Sequence, residues 1–410
     1  MSAHVESQVV IIGAGAAGDA AAFALRKNGF DGRIALIGAD PHRPYERPYL
    51  SKQYLRDEIP EERVFLHSPE DYERERIELV SGRRVVEVAR GEKAVVLDDD
   101  RRFQFDTLIL ATGGIPRRLP DAPRLSNTFT LRTLDDCTAL KQTLRESRRL
   151  LLLGAGFIGA EVAASARVLG KEVLLLEHGS VPLGRALGEE MGEIYARIHR
   201  SRGVDLRTKT SVARWLTDRD RVVGVELSDG GREEIDAVLV AIGIEPDTEL
   251  ARGLGLDLGL GGVLVDEALR ATPQIFCAGD IAAHFHPVYG RHLRVEHWQV
   301  AQKQGAACGA AVAGELKPYE ELPWFWSDQY DINLQYLGNT QNFDQTVWRG
   351  DPESERFSVF YLKGGVIEAV LSVNDGRTGR HSRELIRRRL HVDPHVLSDV
   401  CSDLRALAVT

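Results

Sequence analysis

At 410 residues with 43% hydrophobic side chains, the chain is too long for one ordinary domain and can bury two or three apolar cores. Its 52 Lys and Arg stand against 61 Asp and Glu, and the net charge of −9 argues against nucleic acid or an anionic membrane as a global partner. Cys137, Cys277, Cys308 and Cys401 form no C-x-x-C pair and no zinc spacing, and the polar start, Met1 to Gln8, offers neither a signal peptide nor an apolar span, so a soluble cytoplasmic protein without a redox-active cysteine pair in one loop is expected.

The strand Val9 to Ile12 runs into Gly13-Ala14-Gly15-Ala16-Ala17-Gly18 and then an Ala-rich helix, Ala20 to Leu25. In such a strand–turn–helix unit the three glycines have separate tasks. Gly13 permits the tight turn, Gly15 lets backbone N–H groups approach a pyrophosphate, and Gly18 lets the helix lie close on the sheet. Arg33 to Gly38 reads as a second strand, and Asp40 follows where these units place an acid on a ribose hydroxyl. The segment Pro41 to Lys52 is studded with prolines and reads as a rigid loop feeding a helix start near Leu50. Arg47 could pair there with phosphate or pyrimidine oxygens and Lys52 could set a cation beside a ring, although a solvated surface loop has the same composition. Arg83 to Leu97 and Arg102 to Leu110 predict antiparallel strands about a turn at Asp98 to Asp100, ending in Ala111-Thr112-Gly113-Gly114, where small residues allow close approach of a ligand.

After a linking helix, Leu134 to Glu146, the pattern repeats. Leu150 to Leu153 enters Gly154-Ala155-Gly156-Phe157-Ile158-Gly159, an Ala-rich helix follows from Ala160 to Ala166, and the strand Glu172 to Leu176 ends at Glu177. Two cradles imply two dinucleotides; the glycines do not say which cradle holds which. A carboxylate at Glu177 can accept from both ribose hydroxyls and repels a 2′-phosphate, and His178-Gly179-Ser180 supply no arginine, so NADH is expected over NADPH. Glu161, two residues past Gly159, can interact with the helix dipole or with a cation. Arg221 to Leu227, a turn at Asp229 to Gly231, and Ile235 to Ala241 leading to Ile242-Gly243 repeat the strand pattern of the first unit.

Ile275 to Cys277 is a short strand ended by Ala278-Gly279-Asp280, where a helix start is expected. Asp280 could cap that helix or accept from a ribityl hydroxyl. His284-x-His286 lacks a third ligand, so no metal centre is expected. Arg294, then Lys303 on the helix Gln299 to Val312, then Lys317 suggest a small cationic surface on an acidic protein. From Tyr319 the texture changes to an aromatic-rich stretch, Pro323 to Asp331, strands at 333–337, 346–349, 357–362 and 366–373, and a basic helix from Arg380 to Leu390, which predict a third, α+β domain. The aromatics, Trp326 among them, either pack between domains or wall off a redox ring.

Several signatures resemble, together and over essentially the whole chain, the flavoprotein ferredoxin reductases of oxygenase systems, relatives of apoptosis-inducing factor and monodehydroascorbate reductase. They are the two cradles, the second with Glu161; Pro-Tyr-Glu-Arg-Pro-Tyr-Leu-Ser-Lys ending at Lys52; Ala111-Thr112-Gly113; Ala241 to Pro246; Ala278-Gly279-Asp280; and Phe325 to Tyr330. The resemblance implies an α/β fold of two nested Rossmann-type dinucleotide-binding domains plus a C-terminal α+β domain, with FAD on residues 1–112 and 244–318, NADH on 113–243 and the third domain over 319–410. It assigns Gly13, Gly15, Ala16, Gly18, Asp40, Arg47, Lys52, Ala111, Thr112, Gly113, Asp280 and Trp298 to FAD. To NADH it assigns Gly154, Gly156, Phe157, Ile158, Gly159, Glu177, Ile242 and Gly243. Lys52 and Glu161 become a catalytic pair beside the flavin, bridging the two domains. Two departures bear on geometry: Tyr49 replaces a family proline, and Ala39-Asp40 retains one of two family acids.

The implied activity passes a hydride from NADH to FAD and then single electrons to an acidic ferredoxin or rubredoxin-like carrier serving an oxygenase or cytochrome P450, docked near Arg294, Lys303 and Trp326 of a monomer or homodimer. An NADH-sensing flavoprotein, or direct reduction of quinone or oxygen, are the alternatives.

Overall fold

The computed structural model describes residues 8–339 and 343–407; the polar start preceding Gln8 lies outside them. The chain forms two compact units. The first runs to Glu46 and takes in Glu62–Ile115 and Glu245–Phe325; the second comprises Arg47–Glu61, Pro116–Ile244 and the chain from Trp326 onward.

The first unit is built on a six-stranded sheet ordered Arg270–Thr272, Ile275–Cys277, Thr107–Leu110, Gln8–Ile12, Arg33–Ile37, Ile77–Val80. Gln8–Ile12 lies parallel to both neighbours, with Val10 opposite Ala35 on one side and Leu108 on the other. Val9 to Ile12 are all buried, as a strand covered on both faces requires, which is why the sequence shows an unbroken apolar run rather than alternation. The helix Ala16–Lys27 packs against Trp298–Val312. Their approach depends on glycine: a Cβ at Gly305 would lie 1.9 Å from the Ala17 carbonyl oxygen and one at Gly309 would lie 2.4 Å from that of Ala21.

The second unit repeats the plan in a five-stranded parallel sheet ordered Asp205–Thr208, Glu172–Glu177, Arg149–Leu153, Ala237–Val240, Thr128–Phe129. Its C-terminal part is a five-stranded sheet ordered Trp324–Gln329, Ile332–Gly338, Val366–Val373, Arg356–Lys363, Gln345–Asp351. The helix Gly376–Arg387 packs on that sheet through Thr378, Ser382, Leu385 and Ile386. The fold is thus α/β with two Rossmann-type sheets and a C-terminal α+β part.

Three sequence expectations change, and two elements appear that the sequence pattern leaves unassigned. No helix follows Asp280: Ala282–His286 is a strand whose backbone groups are paired on both edges, parallel to Gly262–Val265 and antiparallel to Arg291–Arg294. The expected long strand Arg83 to Leu97 is broken by a 3₁₀ turn at Arg90–Glu92, with Lys93 left-handed at φ 49°. Arg47–Ser51 is 3₁₀ and passes into turns rather than an α-helix. Trp324–Gln329 is a strand, and Glu189–Ser201 is a helix that the sequence reading did not mark.

Candidate functional site

In the first unit the three cradle glycines face different surroundings. A Cβ at Gly13, where φ is 111°, would sit 2.1 Å from the Ala111 carbonyl oxygen, and one at Gly18 would sit 1.9 Å from that of Gly13; at Gly15 it would meet nothing within 4 Å. Gly13 and Gly18 are therefore required by the protein itself. Gly15 opens onto free space at the N-terminus of Ala16–Lys27, where backbone N–H groups and the helix dipole favour a phosphate. That is the shape a dinucleotide needs, and the residues fit it.

Ala111-Thr112-Gly113 borders the same turn: the Ala111 N–H donates to Ile12 at 2.8 Å, and Thr112 Oγ1 donates to the Asp247 carbonyl at 2.7 Å. Asp40 accepts the His42 N–H at 3.1 Å and the Tyr45 hydroxyl at 2.7 Å, which fixes its carboxylate just past the second strand. Asp280 is buried in a turn made by Gly279 at φ 82°. The Gly279 N–H donates to Gln304 Oε1 at 2.9 Å, and Gln304 Nε2 donates to His284 Nδ1 at 3.1 Å. Trp298 opens the helix behind this turn. The preceding His297 stacks on Phe325 with ring centroids 4.0 Å apart, and burial pushes its pKa down to about 4.

The second cradle has the same division. A Cβ at Gly154 would lie 2.6 Å from the Ala241 carbonyl oxygen and one at Gly159 would lie 1.9 Å from that of Gly154, whereas Gly156 faces open space. Phe157 and Ile158 begin the helix Phe157–Val168, with Ile158 41% exposed beside the open loop. Glu177 Oε2 accepts the Ala155 N–H at 2.8 Å and Oε1 accepts that of Gly179 at 2.7 Å. Ile242 and Gly243, the latter at φ 99°, follow the adjacent strand.

Lys52 and Glu161 meet inside the second unit: Nζ lies 2.8 Å from Oε2, and both side chains are buried. Arg47–Ser51 packs there on the helices Leu134–Glu146 and Phe157–Val168. Cys137 Sγ donates to the Leu50 carbonyl and Ser165 Oγ donates to that of Ser51, fixing the loop from below. Arg47 begins the same turn, half-buried.

A buried ion pair is favourable only when the remaining lone pairs are satisfied. Here Ser51 Oγ donates to Glu161 Oε2 and Ser327 Oγ to Oε1, at 2.5 and 2.8 Å. Both serines lie in family-like stretches of the sequence, Ser51 just before Lys52 and Ser327 within Phe325 to Tyr330, but neither carries a role there, and nothing in the sequence pairs position 327 with 161.

The expected cationic surface differs. Arg294 is 19% exposed and turned inward, pairing with Glu296 at 2.6 Å and donating to the Leu260 carbonyl at 2.6 Å, while Lys317 pairs with Glu315 at 3.0 Å. An arginine so close to backbone carbonyls and a carboxylate serves local structure. Lys303 is exposed, and Trp326 is half-buried in the strand Trp324–Gln329 of the C-terminal sheet. His284 and His286 are fully buried, and among the described residues no group of three His, Cys, Asp or Glu side chains is placed to hold a metal ion.

The pyridine nucleotide-disulphide oxidoreductase family model matches residues 7–305, and the reductase C-terminal model matches 324–408. The chain is 36% identical over 410 residues to putidaredoxin reductase CamA of Pseudomonas putida, covering 98% of this chain and 97% of that one. It is 41% identical over 395 residues to the ferredoxin–NAD(+) reductase component of the anthranilate 1,2-dioxygenase system of Burkholderia cepacia, covering 95% and 96%. Among solved structures, the reductase in the covalent putidaredoxin reductase–putidaredoxin complex superimposes with a TM-score of 0.95 at 36% identity, covering 98% of each chain. Two glycine cradles on parallel sheets, a buried Lys–Glu pair and these full-length matches place the chain in the pyridine nucleotide-disulphide oxidoreductase family, with its reductase C-terminal domain.

Proposed function

We propose that the protein is an NADH-dependent flavoprotein reductase that hands electrons to a ferredoxin- or rubredoxin-type carrier serving an oxygenase. The observation that carries this reading is the buried Lys52–Glu161 pair, whose carboxylate stands on the same helix as Phe157 and Ile158 of the second cradle. We assign FAD to residues 1–112 and 244–318, with Arg47 and Lys52 among its contacts, and NADH to residues 113–243. FAD, when bound, supplies hydride acceptance and release of electrons one at a time.

The chain's own residues bind, orient and tune. Gly15 and Gly156 leave room for phosphates at two helix N-termini. Glu177 selects the unphosphorylated ribose. Asp40 and Asp280 present carboxylates held in place by hydrogen bonds and burial. Glu161 holds the Lys52 ammonium where it favours an electron-rich ring, and no acid–base triad is required. The names of the relatives support the carrier, and no helix among the described residues is long and apolar enough to cross a membrane. We assign the protein to the cytoplasm, where NADH is supplied.

Anaerobic turnover with NADH and a panel of ferredoxins and rubredoxins tests this. Rapid reduction of an acidic redoxin is expected. Slow flavin reduction with little turnover to any carrier would instead indicate an NADH sensor, and turnover confined to quinone or oxygen would indicate a direct reductase.

A further inference from the structure

We infer that Ser327, backed by Gln329 and His199, is a positioning residue that aims the Glu161 carboxylate at Lys52; the inference rests on the flavin role proposed for that pair. The terminal torsion of a glutamate is broad and nearly two-fold, so an ion pair through one oxygen does not fix the plane of the carboxylate. Glu161 gives Oε2 to Lys52 and Ser51, and its Oε1 accepts from Ser327 Oγ at 2.8 Å. Removing that donor leaves a buried oxygen without its partner. Rotating the carboxylate in search of another would carry Oε2 away from the ammonium.

The serine proton is itself directed. Gln329 Nε2 donates to Ser327 Oγ at 3.1 Å, which occupies the acceptor side of the hydroxyl and leaves its one proton for Glu161. The Gln329 amide is oriented in turn by His199, whose Nε2 lies 3.0 Å from Oε1, and His199 Nδ1 lies 2.9 Å from the Tyr330 hydroxyl. His199 is fully buried, and burial pushes its pKa down to about 4, so at neutral pH it carries one ring proton. An amide oxygen only accepts, which assigns that proton to Nε2 and makes Nδ1 the acceptor for Tyr330.

Every bond therefore donates in one direction, from Tyr330 through His199, Gln329 and Ser327 to the carboxylate. Ser327, Gln329 and Tyr330 come from the C-terminal part of the chain, His199 from the helix Glu189–Ser201 and Glu161 from the second cradle's helix, all within the second compact unit. The C-terminal part thus contributes to the chemistry of the Lys52 site, in addition to any part it has in docking. On the strand Trp324–Gln329, Ser327 and Gln329 are buried while Trp326 and Asp328, on the alternate face, are half-buried.

The test uses the FAD-loaded full-length protein and reads the flavin midpoint potential alongside the rate of reduction by NADH. Ser327→Ala is expected to retain FAD and a cooperative thermal transition lowered by no more than a few degrees, to shift the potential to more negative values, and to slow reduction roughly tenfold, the scale of one lost hydrogen bond to a charged group. Ser327→Thr, which keeps the hydroxyl, should restore both. In a Lys52→Met background Ser327→Ala should move the potential no further. An unchanged potential in Ser327→Ala, or an equal shift with and without Lys52, overturns the inference. If Ser327→Ala does not fold, Gln329→Met, which leaves the serine in place but frees its proton, should give the same shift in smaller measure, and no shift is then the overturning result. Lys52→Met alone separates the two levels. If it changes neither potential nor rate, the flavin role of the pair fails; if it changes both while Ser327→Ala changes neither, only the positioning role fails.

Discussion

Glu177, at the end of its strand, accepts the N–H of Ala155 inside the second glycine turn at 2.8 Å, so the acid that would contact a ribose also braces the loop that would contact the phosphates. Its other oxygen accepts the Gly179 N–H at 2.7 Å, and each carboxylate oxygen keeps a further lone pair for a ligand hydroxyl. Discrimination and loop geometry are therefore coupled at one residue.

The kinetic expectation follows directly. The unmodified protein should show a higher kcat/KM with NADH than with NADPH, and Glu177→Ala should narrow the gap while raising KM for both, because the brace is lost together with the repulsion. Glu177→Gln, which keeps an acceptor but not the charge, should narrow the gap with a smaller rise in KM. Equal kcat/KM for both cofactors in the parent protein would remove the argument.

The two kinds of cradle glycine predict different phenotypes for the same substitution. Gly15 has φ −99° and open space around a Cβ, so Gly15→Ala should fold with a nearly unchanged thermal midpoint and lose FAD affinity. Gly18→Ala places a carbon 1.9 Å from the Gly13 carbonyl oxygen, so the apoprotein itself should lose stability, by about 1–3 kcal/mol as overpacking usually costs. Thermal unfolding with and without added FAD separates them; equal apoprotein midpoints for the two variants would contradict the geometry.

Histidines shielded from water set an acid limit on stability. Burial pushes His199 and His297 to about 4 and His284 to about 3, below the ordinary value of 6.5. The unfolded chain takes up these protons near pH 6.5 while the folded chain stays neutral, so the unfolded state binds more protons in the interval and stability falls as pH drops from 6.5 towards 4. For His199 alone the loss at pH 5 is about 2 kcal/mol. Denaturant unfolding of His199→Gln at pH 7 and pH 5 should show a drop smaller by about that amount than in the parent protein; an identical drop would mean that His199 does not titrate in this way.

Both cradles were legible in the sequence because they are local: strand, glycines, helix and terminal acid lie within about thirty residues, and each glycine's role follows from backbone sterics. The helix boundaries at Leu134–Glu146 and Trp298–Val312 agree with the pattern for the same reason. Asp280 shows where local reading fails. Gly-Asp before an apolar run fits a helix cap, but pairing with Gly262–Val265 and Arg291–Arg294 makes the run a strand, and those partners cannot be read from the motif. The roles of Ser327 and His199 were invisible for a related reason: although Ser327 lies in the signature Phe325 to Tyr330, its chemistry is contact between positions 161, 199 and 327, which no periodicity encodes. Arg294 was legible as a cation but not as a paired one.

The electron exit is where structure redirects the experiment. With Arg294 and Lys317 paired to neighbouring acids, Lys303 is the member of the expected trio that is exposed and has no ion-pair partner among the described residues. Within the second unit, and as a separate candidate, the helix Gly376–Arg387 carries Arg377 and Arg380 on its exposed face, opposite Ser382, Leu385 and Ile386, in a chain whose net charge is −9. An acidic carrier meeting an acidic reductase associates quickly only where such a local patch outweighs the overall repulsion. Lys303→Glu and Arg380→Glu should each raise KM for an acidic redoxin several-fold at low ionic strength and leave the NADH-driven reduction of the flavin unchanged. The penalty should shrink as salt is raised and the Debye length contracts. Arg294→Glu should instead lower the thermal midpoint, since it sets a second carboxylate beside Glu296 and leaves the Leu260 carbonyl without its donor. A redoxin KM unaltered by either Lys303→Glu or Arg380→Glu at low salt would place the docking surface elsewhere or identify a carrier that is not acidic.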